Sequence, residues 1–325
     1  MTVVAAGADL LPGPAAAQAA GAPPAAGRLV TGRTAAAGSA RSYTLMVPDA
    51  PPPTGRRALV VMLHGCTQDA ADFMRGTQMN THAAPHGVFV LYPEQGAGQH
   101  PQKCWNWYAP AEMKRDAGEV AIVAAMVREV TAAQGIDPAR VYVAGMSAGA
   151  AMAANLVAAY PELFAAMAVH SGIAAGAAAD VMSAIGAMRS GPTADGDALG
   201  MAVLTAMADR AHAVPLLVIH GRADGVVSAR NAASLVRQWL VVNASARHLA
   251  PPAVPARHEA VEATGRYGAV HEVWTSADGG MLVESYLVEG LGHAWSGGDA
   301  NGSFTDPKGP DASALILTFF LAGAT

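Results

Sequence analysis

Charged side chains are scarce in this sequence. They make up 14% of the 325 residues, against about 25% in an average globular chain, while apolar residues reach 52%. Such a composition excludes an intrinsically disordered chain and a coiled coil. An excess of basic residues is also missing, because the net charge is −5 and the charges are scattered along the chain. We therefore predict no nucleic-acid partner.

Long apolar runs are absent as well. No stretch reaches the ~18 uninterrupted apolar residues that a membrane-spanning helix requires. The longest pure runs, Leu59 to Leu63 and Val88 to Tyr92, have the length of strands. The sequence therefore predicts no membrane span, and it gives no indication of an oligomeric state.

Cysteine is nearly absent, since Cys66 and Cys104 are the only two. Four thiolate ligands for a structural zinc cannot be assembled from them, and no Cys-x-x-Cys spacing occurs. We predict neither a metal nor another cofactor. Two cysteines permit one disulfide, which is typical of exported proteins, or two buried thiols, and their number leaves both open. Residues 1–27 lack the positively charged start of a secretory signal.

The first 27 residues are almost all Ala, Gly and Pro, and such a segment buries too few large side chains to offset its ordering entropy. We predict a mobile tail over 1–27 and a single domain over 28–325. Short β-branched runs alternate there with longer Ala-rich stretches, which is typical of an α/β fold with a mostly parallel central sheet flanked by helices. Strands are predicted at 58–63, 88–92, 141–144, 166–170, 215–220 and 284–288, and helices at 116–133, 150–160, 228–242 and 311–322.

Two segments depart from this alternation. Residues 174–200 are rich in small side chains and predict no regular element, so they are either a cover over an active site or a plain surface excursion. Residues 271–288 contain two strand-like runs around Asp278-Gly279-Gly280, a pattern that predicts a β-hairpin.

The strongest chemical signal is a Gly-x-Ser-x-Gly motif centred on Ser147, which joins an apolar strand to an Ala-rich helix. A nucleophilic serine must stand on a sharp turn, and that turn requires residues without bulk two positions before and after it. Gly145 and Gly149 occupy those positions. The N–H groups at the start of the following helix would face a developing oxyanion. We predict Ser147 as a nucleophile rather than part of an ordinary turn.

A serine hydroxyl is a weak nucleophile until a positioned base takes its proton, so an acid and a histidine should follow in the chain. Asp224 lies just after the apolar run 215–220, where open α/β sheets bind their ligands. His293 lies on the loop after the last predicted strand. We predict Asp224 as the orienting acid and His293 as the base; the alternative for Asp224 is a turn residue before Gly225.

A tetrahedral oxyanion requires two converging backbone N–H groups. One is predicted at Ala148, directly after the nucleophile, and the other at Cys66, in the turn after the first strand of the sheet. His64 is expected to brace that turn through its ring. His170 and His220 end apolar strands and are predicted to be structural, and the remaining histidines are predicted on the surface: His82, His86, His100, His212, His248, His258 and His271.

These motifs together resemble the poly(3-hydroxybutyrate) depolymerase family of esterases, in the α/β-hydrolase superfamily. The resemblance covers most of residues 27–325 in the order of the family. It is carried by Leu63-His64-Gly65-Cys66-Thr67-Gln68, Cys104-Trp105-Asn106-Trp107, Gly145-Met146-Ser147-Ala148-Gly149, His170-Ser171-Gly172, His220-Gly221-Arg222-Ala223-Asp224 and Gly292-His293-Ala294-Trp295-Ser296-Gly297-Gly298.

The resemblance implies an α/β-hydrolase fold and a serine esterase with the triad Ser147, Asp224 and His293. The implied substrate is a carboxylic ester, either a small molecule or a polyester such as polyhydroxybutyrate. Family members also include esterases of aryl and short-chain acyl esters, so a feruloyl- or acetyl-type esterase acting on plant polysaccharide is the alternative. Polymer-degrading members carry a further polymer-binding domain, and none is expected within residues 28–325.

The same resemblance favours a disulfide between Cys66 and Cys104, which would hold the oxyanion loop, and with it an extracellular or periplasmic location. Trp105, Trp107 and Trp295 are candidates for lining the acyl or alcohol pocket, because flat apolar walls suit ester groups. Packing in the core is an equally good expectation for each of them.

Overall fold

The structure is a computed structural model of the full chain, and it describes residues 27–262 and 265–322. The predicted tail over 1–27 lies outside the described residues except for Gly27, so the division into a tail and a single domain stays a prediction.

A ten-stranded sheet forms the centre of the molecule. Its strand order is β1-β2-β4-β3-β5-β6-β7-β10-β9-β8, with the six strands from β4 to β10 parallel and the two at each end antiparallel. Its strands are β1 Arg28–Ala36, β2 Ser39–Val47, β3 Ala58–Leu63, β4 Val88–Pro93, β5 Val141–Met146, β6 Ala166–His170, β7 Leu216–Gly221, β8 Arg257–Val261, β9 Ala269–Thr275 and β10 Met281–Val288. A separate pair consists of β11 Trp295–Ser296 and β12 Thr305–Asp306.

Helices cover both faces of the sheet, and the central strands are therefore buried along their whole length. The helices are α1 Ala70–Thr77, α2 Met79–Ala83, α3 Gly118–Gln134, α4 Ala148–Ala159, α5 Val181–Ser190, α6 Gly196–Met207, α7 Arg230–Ser245 and α8 Ala312–Ala322. One apolar core lies between the sheet and α3, α4, α6 and α7, and a second lies between the sheet and α1, α2 and α8.

Most predicted elements occur close to their predicted bounds, including the hairpin of β9 and β10 around residues 278–280. The expectation for 174–200 was wrong, because α5 and the start of α6 lie there. Their N-terminal caps, Asp180 and Asp195, accept hydrogen bonds from backbone N–H groups. The apolar periodicity is weak because α5 buries only Ala184 and Ala187.

No strand was predicted over 28–47, where β1 and β2 form a hairpin. Its turn contains Ala37 and Gly38, both at positive φ (50° and 73°). Most of β1 is exposed, so the hairpin has little of the apolar alternation that marks a half-buried strand.

The parallel strands direct their carboxyl ends to one edge of the sheet. The loops that follow β3, β5, β7 and β10 therefore lie together. These loops carry Cys66, Ser147, Asp224 and His293.

Candidate active site

Ser147 lies on a strained turn between β5 and α4. Its backbone has φ 55° and ψ −121°, a conformation that costs of order 1–3 kcal/mol in a residue with a side chain. A Cβ at Gly145 would lie 2.5 Å from the Gly149 carbonyl carbon, and a Cβ at Gly149 would lie 2.1 Å from the Leu63 oxygen. The two glycines therefore permit a close approach of α4 to β5 and β3, which holds the serine at the carboxyl edge of the sheet.

His293 and Asp224 are in direct contact although 69 residues separate them. The Nδ1 of His293 lies 2.7 Å from Oδ2 of Asp224. The second oxygen, Oδ1, accepts hydrogen bonds from the N–H groups of Val226 (2.9 Å) and Val227 (2.8 Å). Since the carboxylate accepts at Nδ1, that nitrogen carries the proton in neutral His293 and Nε2 is the basic one.

The charge state of Asp224 follows from its contacts. Burial by itself would raise the pKa of this carboxyl, but the hydrogen bond and charge of His293 and the two backbone N–H groups outweigh it, so that the pKa lies below its ordinary value. Asp224 is therefore ionised at neutral pH.

Two further histidines lie behind this pair and are structural, as predicted. His170 accepts a hydrogen bond from the Ser296 N–H at Nε2 (3.0 Å) and stacks on Trp295 with ring centroids 4.9 Å apart. His220 contacts the Val227 carbonyl oxygen through Nε2 (2.9 Å). Burial lowers the pKa of His170 to about 3 and also lowers that of His220. Both rings are thus neutral.

The loop after β3 lies beside the serine. Cys66 forms a disulfide with Cys104, as the resemblance implied. The His64 ring donates from Nδ1 to the Gly65 oxygen (2.8 Å) and accepts at Nε2 from the Gln95 N–H (3.1 Å). Burial lowers its pKa to about 4, so the ring stays neutral and keeps both bonds.

The N–H groups on either side of Cys66 already have acceptors. The Gly65 N–H donates to Oε1 of Gln68 (3.0 Å) and the Thr67 N–H to the Gln102 oxygen (2.6 Å). Of these three consecutive N–H groups, only that of Cys66 has no protein acceptor among the described residues. Ala148 is the first residue of α4, where N–H groups lack partners within the helix. These are the two N–H groups predicted to form an oxyanion hole, and that role stays a prediction.

A cavity of about 240 Å³ opens at this edge of the sheet. It brings together the predicted residues Ser147, His293 and Cys66. Met188, Val226 and Phe304 form its apolar wall, and they were not predicted, because each lies in a short segment with no pattern that marks a pocket. The lining consists of Gly65, Cys66, Thr67, Gln68, Gln102, Met146, Ser147, Met188, Val226, His293 and Phe304.

The three candidate tryptophans are core residues and do not line this cavity. Trp105, Trp107 and Trp295 are only 0%, 5% and 1% exposed. Trp295 packs edge-on against Phe73 (5.4 Å between centroids) and Trp105 lies against His64 (5.7 Å). Their large apolar rings are buried because burial is more favourable than contact with water. They pack beneath the loops of the site.

One histidine predicted on the surface is buried. His271 lies at the centre of the antiparallel strands β8, β9 and β10 and stacks on Tyr286 with centroids 4.3 Å apart. Its two ring nitrogens each lie 2.9 Å from a carboxylate oxygen, Nδ1 from Glu259 and Nε2 from Glu284. The cluster lies away from the cavity that contains Ser147.

Comparison with known proteins places the chain in a family. The sequence profile of a family described as Esterase PHB depolymerase matches residues 41–258. The chain belongs to this family of esterases. The matched range contains Ser147 and Asp224 and ends before His293.

Curated relatives agree with the assignment to the PHB depolymerase family. The chain is 33% identical over 236 residues to a poly(3-hydroxyalkanoate) depolymerase C of Paucimonas lemoignei, covering 72% of this chain and 54% of the relative. It is 30% identical over 283 residues to a poly(3-hydroxybutyrate) depolymerase of Ralstonia pickettii, covering 83% and 54%. A feruloyl esterase B of Neurospora crassa is 32% identical over 189 residues, covering 56% and 64%. The chain thus spans about half the length of the depolymerases that it matches.

A solved structure supports the fold. An acetyl xylan esterase from Aspergillus awamori superimposes with a TM-score of 0.64 over 78% of this chain and 89% of its own, at 22% identity. The chain therefore has the α/β-hydrolase fold, as predicted. None of the helices within 27–262 and 265–322 is long and apolar enough to cross a membrane.

Proposed function

We propose that this chain is a serine esterase that cleaves carboxylic esters through Ser147, His293 and Asp224. The observation that carries the proposal is the contact of 2.7 Å between Nδ1 of His293 and Oδ2 of Asp224. His293 lines the same cavity as Ser147, whose backbone is strained. Membership of an esterase family supports the reaction class.

In the proposed reaction Oγ of Ser147 attacks the ester carbonyl carbon while Nε2 of His293 takes the hydroxyl proton. Asp224 stabilises the imidazolium that forms, without taking its proton. The tetrahedral intermediate collapses, the ester C–O bond breaks, and His293 gives the proton to the departing alcohol oxygen. Water then attacks the acyl-enzyme and loses a proton to His293, and the acid leaves as Ser147 regains its proton.

Charge develops on the former carbonyl oxygen during both steps. The N–H groups of Cys66 and Ala148 are proposed to donate to this oxygen, and each such donor stabilises the transition state by about 3 kcal/mol. Two observations support this role for Cys66. The N–H groups of Gly65 and Thr67 have protein acceptors, whereas the Cys66 N–H has none within the described part of the chain.

Among esters, we propose hydroxyalkanoate esters, as oligomers or polymer, as the substrate. Two of the relatives are named depolymerases of such polyesters. The exposed residues of the cavity lining carry no Asp, Glu, Lys or Arg: Val226 and Phe304, each 45% exposed, are apolar, and Thr67 and Gln102 are uncharged. The exposed Val181 and Ile185 lie on the same face of α5 as Met188, which lines the cavity. An aliphatic polyester offers matching apolar groups.

A feruloyl- or acetyl-type esterase acting on plant polysaccharide is the second candidate, because relatives named feruloyl esterase B and acetylxylan esterase also match this chain. Sugar rings commonly stack on exposed Trp, Tyr or Phe side chains, whereas Phe304 is the only one of these in the cavity lining of the described chain. This scarcity of aromatic stacking surfaces favours the polyester.

The compartment belongs to the proposal as well. A disulfide persists in oxidising surroundings, and Cys66 and Cys104 form one in this structure. We propose that the enzyme acts outside the cytoplasm, in the periplasm or the extracellular space.

A panel of esters tests the proposed function. Soluble p-nitrophenyl esters of increasing acyl length, hydroxybutyrate oligomers, crystalline polymer, methyl ferulate and acetylated xylan are each incubated with the wild type and with Ser147→Ala. We expect rapid hydrolysis of short esters and hydroxybutyrate oligomers, slow erosion of crystalline polymer, and a serine-directed phosphonate attached to Ser147. Faster turnover of methyl ferulate or acetylated xylan than of hydroxybutyrate oligomers would select the second candidate, and full activity in Ser147→Ala would reject both.

A further inference from the structure

Gln68 joins two loops that both contribute to the cavity lining. It lies between β3 and α1 and is almost completely buried. Its side-chain oxygen accepts the Gly65 N–H (3.0 Å), one residue before Cys66. Its side-chain nitrogen donates to the Ser303 carbonyl oxygen (3.1 Å) and lies 3.3 Å from the Ser303 hydroxyl. Ser303 directly precedes Phe304, which lines the cavity.

The loop around Ser303 has a second connection to the same region. Asp72 in α1 accepts the Ser303 N–H (3.1 Å) and the Ser303 hydroxyl. Gln68 also lies against Asp72, with 3.5 Å between its Nε2 and Oδ2. Phe304 in turn packs edge-on against His293, with centroids 6.3 Å apart. A continuous chain of contacts therefore leads from the oxyanion loop through Gln68 to the ring of the base.

The direction of each hydrogen bond fixes what this side chain must be. One end accepts from an N–H and the other end donates to a carbonyl oxygen, and a primary amide supplies both functions without charge. A carboxylate would accept at Gly65 but would face the Ser303 oxygen and Asp72 with like charge. An apolar side chain of the same size would leave the buried Gly65 N–H and Ser303 oxygen unpaired.

We propose that Gln68 is a positioning residue for the esterase reaction: by holding Gly65 it directs the Cys66 N–H at the oxyanion, and by holding Ser303 it places Phe304 against the acyl group. This inference rests on the proposed function. It predicts that Gln68 affects kcat, through the oxyanion, and the preference among acyl groups, through Phe304.

Gln99 provides a matched control. Its side-chain oxygen accepts the Gly96 N–H (3.2 Å), the same contact across three residues that Gln68 makes with Gly65. Gln99 is exposed and is not part of the cavity lining. Substitutions at Gln99 therefore reproduce the local loss of a glutamine-to-glycine hydrogen bond without touching the oxyanion loop.

The first test compares Gln68→Leu with Gln99→Leu on p-nitrophenyl acetate and butyrate. Because misplacement of a reacting group by about 1 Å can cost about 10²-fold, we expect kcat to fall by about that factor in Gln68→Leu, and the ratio of kcat/KM for butyrate over acetate to fall as well. Gln99→Leu should change neither. Equal kinetics in the two variants would overturn the proposal.

The second test does not depend on the stability of an apolar variant. Gln68→Glu can donate to the Ser303 oxygen only when its carboxyl is protonated, and burial beside Asp72 favours that form. We expect the activity of Gln68→Glu, divided by that of the wild type, to rise by up to about tenfold per pH unit as the pH is lowered through the weakly acidic range. A flat ratio would overturn the proposal.

Ser147→Ala, assayed on the same esters, distinguishes a failure of the positioning role of Gln68 from a failure of the proposed esterase function. If Ser147→Ala is inactive and the Gln68 variants behave like the Gln99 variants, the positioning role fails and the proposed function stands. If Ser147→Ala remains active, the proposed function itself fails.

Discussion

Two histidines of this protein contact carboxylates at almost the same distance, and their surroundings differ completely. His293 lies 2.7 Å from Asp224 through Nδ1, on a loop at the carboxyl edge of the parallel strands. His271 lies 2.9 Å from Glu259 and 2.9 Å from Glu284, within antiparallel strands near the end of the sheet. In His271 both ring nitrogens have carboxylate partners, whereas in His293 only Nδ1 has one among the described contacts.

The comparison shows that a contact between an imidazole and a carboxylate does not by itself indicate catalysis. A general base requires a second nitrogen directed at the group whose proton it takes. His293 lines a cavity with Ser147, and the ring of His271 is covered by Tyr286 and two carboxylates. We interpret the His271 cluster as a cross-strand contact that joins β8, β9 and β10.

The largest expected difference follows from removing each imidazole. His293→Ala should lower kcat by about 10⁶, as loss of the base does in the triad template, and His271→Ala should leave kcat unchanged while lowering the melting temperature. Steady-state kinetics on a soluble ester and thermal unfolding of both variants measure this. A large fall in kcat for folded His271→Ala would remove the distinction between the two sites.

The carboxylates should differ in the same way. Asp224→Asn replaces the acceptor of the His293 Nδ1 proton with an amide and should lower kcat by about 10⁴. Glu284→Gln is its counterpart in the other cluster and should not affect turnover. Near-normal turnover in Asp224→Asn would identify another acid, and Asp299 and Asp306 would then be tested.

Reduction of the disulfide should affect one region and spare the other. The bond between Cys66 and Cys104 holds the loop that carries the proposed oxyanion donor, while β8 to β10 are held by strand pairing. In the chain-entropy model a disulfide that closes a loop of this length stabilises the fold by roughly 4 kcal/mol at most. We expect mild reduction to lower kcat and the melting temperature, with the amide chemical shifts of β9 in the folded protein unchanged. Two free thiols in the unfolded, unreduced protein would contradict the bond.

The smallest effect concerns buried histidines that have no carboxylate hydrogen bond. Burial lowers the pKa of His64 to about 4 and that of His170 to about 3. Between pH 6.5 and these values the unfolded chain binds protons that the native rings do not. The free energy of unfolding should therefore fall with decreasing pH by up to about 1.4 kcal/mol per unit for each ring.

Chemical denaturation at several pH values measures this slope. His64→Gln should make it shallower, because glutamine does not titrate. His86→Gln, at an exposed histidine, is the control and should leave the slope as it is. An unchanged slope in His64→Gln would show that folding does not lower the pKa of this ring.

The parts of the site that could be predicted are those with strong local requirements. The turn at Ser147 requires glycine on both sides, and Gly145 and Gly149 mark it in any sequence. The strands from β3 to β7 are buried on both faces, and continuous apolar runs indicate them directly. The proposed catalytic residues follow such strands, so their common edge could be inferred from the parallel order alone.

Other features depend on contacts between residues far apart in the chain. Trp105 and Trp295 were candidates for the pocket because an indole ring suits both a core and an ester, and only the packing against His64 and Phe73 decided for the core. His271 sits in an alternating stretch that is compatible with a surface strand, and the flanking carboxylates come from β8 and β10. Short helices such as α5, which buries two alanines, carry too weak a periodicity to be recognised.

The sequence by itself determined the class of fold, the strained serine, and the order of the proposed nucleophile, acid and base, because each depends on local geometry or on strand order. Tertiary structure decided which apolar side chains form the cavity wall, which tryptophans are buried, and how Gln68 connects the oxyanion loop to Phe304. These features arise where loops from distant strands meet, and a hydrogen bond across 235 residues, such as that between Gln68 and Ser303, has no counterpart in the local pattern of the chain.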